Sequence, residues 1–220
     1  MGCQAVIFDM DGTLVDSLGA ISACMNMALE SLGYPPHPRE DYREGIGNGM
    51  RALILHLMRG RNLSEQELSR IMEVYLPIYA GPEAMKRTVP YDGIMPLLHA
   101  LKDCGVKTAV LTNKDDYVAG RVVRDVLGGF AFDAVRGFID GRPNKPDHRA
   151  ALEVAGALGV SPEKALFVGD SDVDMLTAVR AGMVPVGVSW GYRSREELTR
   201  SGARYIVEEP KQLLSIVKDV

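Results

Sequence analysis

The chain has 220 residues, enough for one large domain or a core with a smaller module, and its 46% hydrophobic and 25% charged content are those of a soluble globular protein. A net charge of −4 leaves no polybasic footprint, so neither nucleic acid nor a membrane surface is an expected partner. Cys3, Cys24 and Cys104 form neither a disulfide framework nor a zinc spacing, and no apolar run approaches the ~20 residues of a membrane span, so a cytoplasmic protein is expected.

The first predicted element is the apolar strand Ala5-Val6-Ile7-Phe8, which runs into Asp9-Met10-Asp11-Gly12-Thr13. Strand alternation throws the two carboxylates to the same side. Like charges that close repel unless a cation or a shared proton stabilises them, and a metal is the first expectation. The plain alternative is a polar strand end followed by an Asp-Gly turn. A helix then runs from Ser17 to Leu32, with Ile21, Met25, Ala28, Leu29 and Leu32 on one face; Ser17 is placed to cap it and Gly33 to end it. Pro35, Pro36 and Pro38 interrupt regular structure. Short helices are expected over Arg39–Glu44 and Met50–Met58, separated by the flexible turn Gly45-Ile46-Gly47-Asn48-Gly49. Ser64-x-x-Glu67 is a capping box opening a helix to about Tyr79, which Gly81-Pro82 is expected to close. Residues from about 16 to 87 thus read as all-helical, with no strand.

Beyond Pro90 strands and helices alternate. Helix Ile94–Cys104, strand Lys107–Thr112 and helix Asp116–Leu127 lead to a short strand at Phe132–Val135. Helix Asp147–Leu158, strand Ala165–Val168, helix Asp172–Ala181 and strand Val184–Val188 follow. A helix near Glu196–Arg200, a strand Tyr205–Val207 and a final helix from Lys211 complete the chain. This alternation predicts a parallel sheet covered by helices on both faces, with the 16–87 block inserted after the first strand. Such sheets place their site at the carboxyl ends of the strands, near the point where strand order reverses.

Four polar clusters fall there: Asp9 and Asp11; Thr112-Asn113-Lys114; Lys145 between Pro143 and Pro146; and Gly169-Asp170-Ser171-Asp172-Val173-Asp174. A carboxylate at a strand end can attack a phosphoryl group and form an aspartyl-phosphate. Nucleophile and substrate are both anions, so Mg²⁺ on carboxylate oxygens of Asp9 and Asp170 is the expected counter-ion. The Thr112 hydroxyl and the Asn113 amide would donate to the transferring oxygens, and Lys145 would neutralise shared charge. Asp11 is then the general acid for the leaving oxygen and base for the attacking water. The glycines around Gly47 and Asn48 would let backbone amides approach a substrate. Arg43 and Arg51 flank them, either one a reader of a substrate carboxylate or part of a solvated helix face. Lys114 and Asp116 read as a solvated helix start, Asp172 as a helix N-terminal acid, and Asp174 as either that or a metal supporter.

Together these motifs resemble the haloacid-dehalogenase-like phosphohydrolases over nearly the whole chain. Asp9-x-Asp11-Gly12-Thr13, Thr112-Asn113, Lys145-Pro146 and Gly169-Asp170-Ser171-x-x-Asp174 match the four family motifs in order. The resemblance implies a Rossmann-like core, residues 1–15 and 88–220, with an all-helical cap over 16–87. It implies Asp9 as nucleophile and Asp11 as acid and base. Mg²⁺ would be held by the Asp9 side chain, the Asp11 main-chain carbonyl and Asp170, with Asp174 supporting it through its waters or from behind. It also puts Asp16 and Ser17 at the hinge of the cap. Family dehalogenases lack the second aspartate, which is present here. The cap, the 45–49 turn, Val89-Pro90-Tyr91-Asp92-Gly93 and Thr13 lean toward phosphoglycolate phosphatases and near relatives, so the expected substrate is a small anionic phosphate ester. A sugar phosphomutase resembling beta-phosphoglucomutase, a pyrophosphatase and a non-catalytic binding scaffold are the alternatives. A monomer or weak homodimer is expected.

Overall fold

The computed structural model describes residues 2–219. In chain order, β1 (Ala5–Phe8) and β2 (Val15–Asp16) precede a run of helices, α1 (Leu18–Ser31), α2 (Arg39–Gly45), α3 (Met50–Leu57), α4 (Glu65–Tyr79) and α5 (Pro82–Lys86). The chain returns through β3 (Val89–Pro90) to α6 (Ile94–Asp103), β4 (Lys107–Asp115), α7 (Asp116–Asp125) and β5 (Ala134–Phe138). It ends with α8 (His148–Leu158), β6 (Ala165–Gly169), α9 (Asp172–Ala181), β7 (Val184–Val188), α10 (Arg195–Arg200), β8 (Tyr205–Val207) and α11 (Leu213–Asp219).

Six strands form one parallel sheet in the order β5-β4-β1-β6-β7-β8. The fold is the expected α/β, Rossmann-like one. β1 is central because all four of its residues are apolar and can be buried on both faces. Its alternation divides the interior. Val6 and Phe8 join Leu98, Val122 and Leu213 from α6, α7 and α11, whereas Ala5 and Ile7 join Ala151, Val154 and Ala178 from α8 and α9. Strand order reverses at β1, so the crevice opens at its carboxyl end.

Several local expectations are corrected. Gly81 and Pro82 do not simply close α4. Gly81 is the N-cap of α5 and Pro82 its first residue, a position where the missing N–H costs nothing. The expected strand at Phe132–Val135 is shifted to Ala134–Phe138, because Phe132 packs edge-on against Phe130, ring centroids 4.8 Å apart, and not into the sheet. The block from 16 onward is not wholly helical: Val15 and Asp16 pair antiparallel with Pro90 and Val89, a two-residue ribbon too short to leave a periodic signature. Ser17 stands at the N-cap of α1 but makes no side-chain cap bond; Asp16 Oδ1 accepts from the Leu18 N–H at 3.1 Å instead. The Ser17 hydroxyl is used elsewhere.

Candidate active site

The carboxyl ends of β1 and β6 lie side by side, with the Asp9 N–H donating to Val168 O at 2.9 Å. Asp9, one step past β1, and Asp170, one step past β6, are both buried. Gly12 turns the chain away with φ +82, and a Cβ there would lie 2.3 Å from Asp170 Oδ2. Asp170 Oδ2 accepts from the Tyr192 N–H at 2.7 Å, and Oδ1 from Thr13 Oγ1 at 3.3 Å. Asp174 follows on α9. Its Oδ2 accepts from Ser171 N at 3.0 Å and Ser171 Oγ at 2.6 Å, and its Oδ1 from Lys145 Nζ at 2.6 Å. Asp174 is thus both a helix-capping acid and the holder of Lys145.

Lys145 arrives on the loop before α8. Arg136 secures that loop, donating to Pro143 O at 2.6 Å and Ala150 O at 3.0 Å. Lys145 Nζ stands 2.8 Å from Asp9 Oδ1, within ion-pair distance but without hydrogen-bond alignment, so Oδ1 remains a buried oxygen lacking an aligned donor. Burial, then the charge of Asp174, pushes the Asp9 carboxyl up to about 7 against the pull of Lys145. Burial and the charges of Asp174 and Asp9 hold Asp170 well above the usual carboxylate range. Burial works to lower the Lys145 ammonium, but the two adjacent carboxylates outweigh it and hold it above its ordinary value.

One carboxylate oxygen from each of Asp9, Asp170 and Asp174 lies within 4.8 Å of the others. Three buried carboxylates face one lysine, an imbalance that is costly away from water. Asp9 Oδ1 is met by Lys145 and by no other donor among the described residues, and this donor set fits a hard divalent cation such as Mg²⁺, which prefers oxygen ligands.

Asp11 has separate partners. Its Oδ1 accepts from Ser17 Oγ at 2.5 Å and pairs with Lys114 Nζ at 2.9 Å. Lys114 also bonds the Tyr79 hydroxyl from α4. The expectation that Lys114 lies on a solvated helix start is therefore wrong: it is 7% exposed. β4 continues past Thr112 to Asp115, with a register shift between Leu111 and Asp115 that re-aims these residues, as bulges beside sites do. Asp115, not Lys114, caps α7. Asp116 accepts from the Gly137 N–H at 2.8 Å and so ties α7 to β5.

A cavity between the inserted helices and the sheet edge is lined by Asp9, Asp11, Thr112 and Lys114 on one side and by Leu53, Tyr75 and Tyr79 on the other. Gly47 reaches it; Asn48 is exposed and does not line it. Asn113 Nδ2 donates at 2.9 Å both to Gly47 O and to Lys145 O, a strut from the 45–49 turn to the lysine loop. Arg43 does not enter the cavity. Its Nη2 donates to Gly191 O at 2.9 Å, while Arg193 Nη1 donates to Arg43 O at 2.6 Å and Nη2 to Glu44 O and Ile46 O at 2.8 Å. Arg51 pairs with Glu65 on the surface.

A family model for haloacid dehalogenase-like hydrolases matches residues 6–188. The chain belongs to that family. It is 34% identical over 225 residues to phosphoglycolate phosphatase 1 of Pseudomonas aeruginosa, covering 96% of this chain and 78% of that protein. It is 33% identical over 220 residues to phosphoglycolate phosphatase of Haemophilus influenzae, covering 96% of both. Among solved structures, a predicted phosphoglycolate phosphatase from Haemophilus somnus 129pt superimposes with TM-score 0.89 at 26% identity, covering 98% of both chains. CbbY from Rhodobacter sphaeroides, in complex with phosphate, shares the fold with TM-score 0.85 at 23% identity, covering 99% of this chain and 100% of that one.

By sequence Ser17 is no more than a cap or hinge and Lys114 no more than part of a solvated helix start, and nothing local marks Tyr79, Arg136, Gly191, Tyr192 or Arg193 as part of the site. The segment Trp190-Gly191-Tyr192 follows the strand end of β7, so the strand-end rule that found the other clusters points to it as well. Trp190 Nε1 donates to Thr13 O at 3.0 Å, and a Cβ on Gly191 would lie 2.2 Å from Asp170 Cβ. No described helix is long and apolar enough to cross a membrane.

Proposed function

We propose that the protein is a Mg²⁺-dependent phosphomonoesterase acting on a small anionic phosphate ester, phosphoglycolate first, through a phosphoryl group carried on Asp9. The observation that carries this reading is the buried array of Asp9, Lys145 and Asp174 beside Asp170 at the ends of β1 and β6. In the first step an Asp9 carboxylate oxygen bonds to phosphorus, the ester P–O bond breaks, and the Asp11 carboxyl gives its proton to the leaving oxygen. In the second step a water oxygen bonds to phosphorus, Asp11 takes the water's proton, and the Asp9 carboxylate leaves. Lys145 offsets negative charge shared by Asp9 and the phosphoryl oxygens, and the Thr112 hydroxyl and the main-chain N–H of Asn113 bind those oxygens, the Asn113 side-chain amide being engaged with Gly47 O and Lys145 O. Asp9, Asp170 and the Asp11 main-chain carbonyl would hold Mg²⁺, which when bound screens the two anions from each other. Asp174 has both oxygens engaged by Lys145 and Ser171, which supports a role in fixing the lysine and adding charge behind the metal. Residues 16–87 act as the cap over a core of 1–15 and 88–220, with Gly47 and Asn48 on the segment that meets substrate. The relatives named as phosphoglycolate phosphatases support the choice of first substrate.

The test is a phosphate-release screen with Mg²⁺ over phosphoglycolate, pyrophosphate and sugar phosphates. Release from a small monoester that stops in EDTA is the expected result. An isomeric sugar phosphate in place of free phosphate would make the protein a mutase, fastest release from pyrophosphate a pyrophosphatase, and silence across the panel a binding scaffold.

A further inference from the structure

Lys114 is a buried lysine that the proposed chemistry does not use. A buried ammonium is costly unless something pairs with it, and here Asp11 and the Tyr79 hydroxyl do so. Its position is tied to the reaction by one distance. If Asp11 protonates the leaving oxygen, that oxygen must come within ~2.8 Å of the Asp11 carboxyl. Lys114 Nζ is 2.9 Å from Asp11 Oδ1, so whatever the leaving oxygen carries must pass beside this ammonium. A carboxylate attached to the ester carbon itself has its carboxyl carbon two bonds from that oxygen, within reach of Nζ. An uncharged alkyl group there would instead leave the ammonium no new partner.

The remainder of the wall makes the same point by elimination. Lys114 is the cation among the described residues lining the cavity, and Ile21, Met50, Leu53 and Tyr75 give it an apolar far side. Arg43 and Arg51, the other candidates on the inserted helices, are engaged with the carbonyls after β7 and with Glu65. Lys145 is held by Asp9 and Asp174.

We infer that Lys114, backed by Tyr79, is the specificity residue for the leaving group, selecting short phosphate esters that carry a carboxylate on the ester carbon. This rests on the phosphatase reading, in that Asp11 must face the leaving oxygen. On arrival of such a substrate, Lys114 shares its charge between Asp11 and the substrate carboxylate, and no bond to Lys114 forms or breaks. An Arg in its place would keep the charge but put a larger, planar guanidinium where the compact ammonium meets Asp11 and Tyr79.

The experiment uses the full chain with Mg²⁺ and two non-hydrolysable probes in which a methylene replaces the ester oxygen, 3-phosphonopropionate for phosphoglycolate and propylphosphonate for ethyl phosphate, titrated calorimetrically. The wild type is expected to bind 3-phosphonopropionate at least about tenfold more tightly, because only that probe pairs with the buried ammonium. Lys114→Met is expected to bring the two affinities within about twofold, and Lys114→Arg to retain part of the difference. In turnover, the ratio of kcat/KM for phosphoglycolate over ethyl phosphate is expected to fall at least about tenfold in Lys114→Met, mainly through KM. Equal affinities in the wild type, or a preference that survives in Lys114→Met, overturn the assignment. The wild-type comparison needs no variant, and Lys114→Gln, which keeps most of the side-chain length, replaces Lys114→Met if the latter does not fold. Release of phosphate from both esters without preference removes the role of Lys114 and leaves the phosphatase reading standing. Release from neither removes that reading, while the phosphonate ratio still tests Lys114.

Discussion

Asp9 and Asp11 stand one residue apart and have different surroundings. Asp9 faces Lys145, Asp174 and Asp170 in a buried cluster, whereas Asp11 faces Ser17, Lys114 and the cavity. The division matches the two jobs proposed for them, since a nucleophile needs a screened charge and an acid needs access to the leaving oxygen. Asp9→Asn is expected to lower phosphate release by a factor on the order of 10³ or more, with the fold retained by circular dichroism; wild-type turnover in that variant would sink the covalent mechanism. Gly12 carries a separate constraint. With φ +82 and no room between it and Asp170, Gly12→Ala is expected to lose about 1–3 kcal/mol of stability by chemical denaturation, through backbone strain and a displaced Asp170. At this scale the four motifs were legible because each lies at a strand end or in the loop before a helix, and strand ends are visible as apolar runs stopping at polar residues. Lys114 was misread for the same reason: by sequence it looks like the solvated start of α7, and only the register shift in β4 turns it inward.

At the scale of elements, the loop after β7 joins the inserted helices to the sheet. Arg193 donates to Arg43 O, Glu44 O and Ile46 O, the carbonyls that the end of α2 leaves without helical partners, and Arg43 reaches back to Gly191 O and Tyr192 O. The same loop supplies the Tyr192 N–H to Asp170. Arg193→Ala is therefore expected to raise KM severalfold with a smaller change in kcat, and to cost about 1 kcal/mol in thermal denaturation; an unchanged KM would argue that the 43–46 segment does not position substrate. Elements with strong local codes were readable in advance. Helix α9 spans Asp172–Ala181 as expected, framed by a Ser171–Asp174 capping box and Gly182. The β2–β3 ribbon was not, because its stability comes from pairing residues 15–16 with residues 89–90 and from nothing in either dipeptide.

For the whole molecule, the buried carboxylates set a pH dependence with a definite sign. The Asp9 carboxyl rises from 3.8 to about 7 in the metal-free fold, and Asp170 is raised as well. Between those values the unfolded chain has released protons that the folded chain still holds, so metal-free stability falls as pH rises from about 4 through 7. The loss is expected to be a few kcal/mol. The raised Lys145 acts in the same sense, its stabilising charge being lost as pH rises, but only above its ordinary value of 10.5, outside this window. Mg²⁺ favours the charged carboxylates, so it is expected to raise Tm by several degrees at pH 7.5 and by little at pH 5. Scanning fluorimetry at both values, in EDTA and in excess Mg²⁺, checks this. A Tm in EDTA that is flat from pH 5 to 7.5 would count against a charge-strained metal site.

The sequence by itself determined the sheet, the inserted helices and the four strand-end clusters, because apolar periodicity, caps and turn residues act over a few neighbouring residues and a parallel sheet gathers its strand ends on one edge. Only the tertiary structure decided what each side chain meets there. The engagement of Asp174 with Lys145, of Asn113 with Gly47, of Lys114 with Asp11 and Tyr79, and of Arg193 with the end of α2 all join residues 29 to 150 positions apart. Such contacts depend on how twisted strands and inserted helices pack, which no local stretch of sequence encodes.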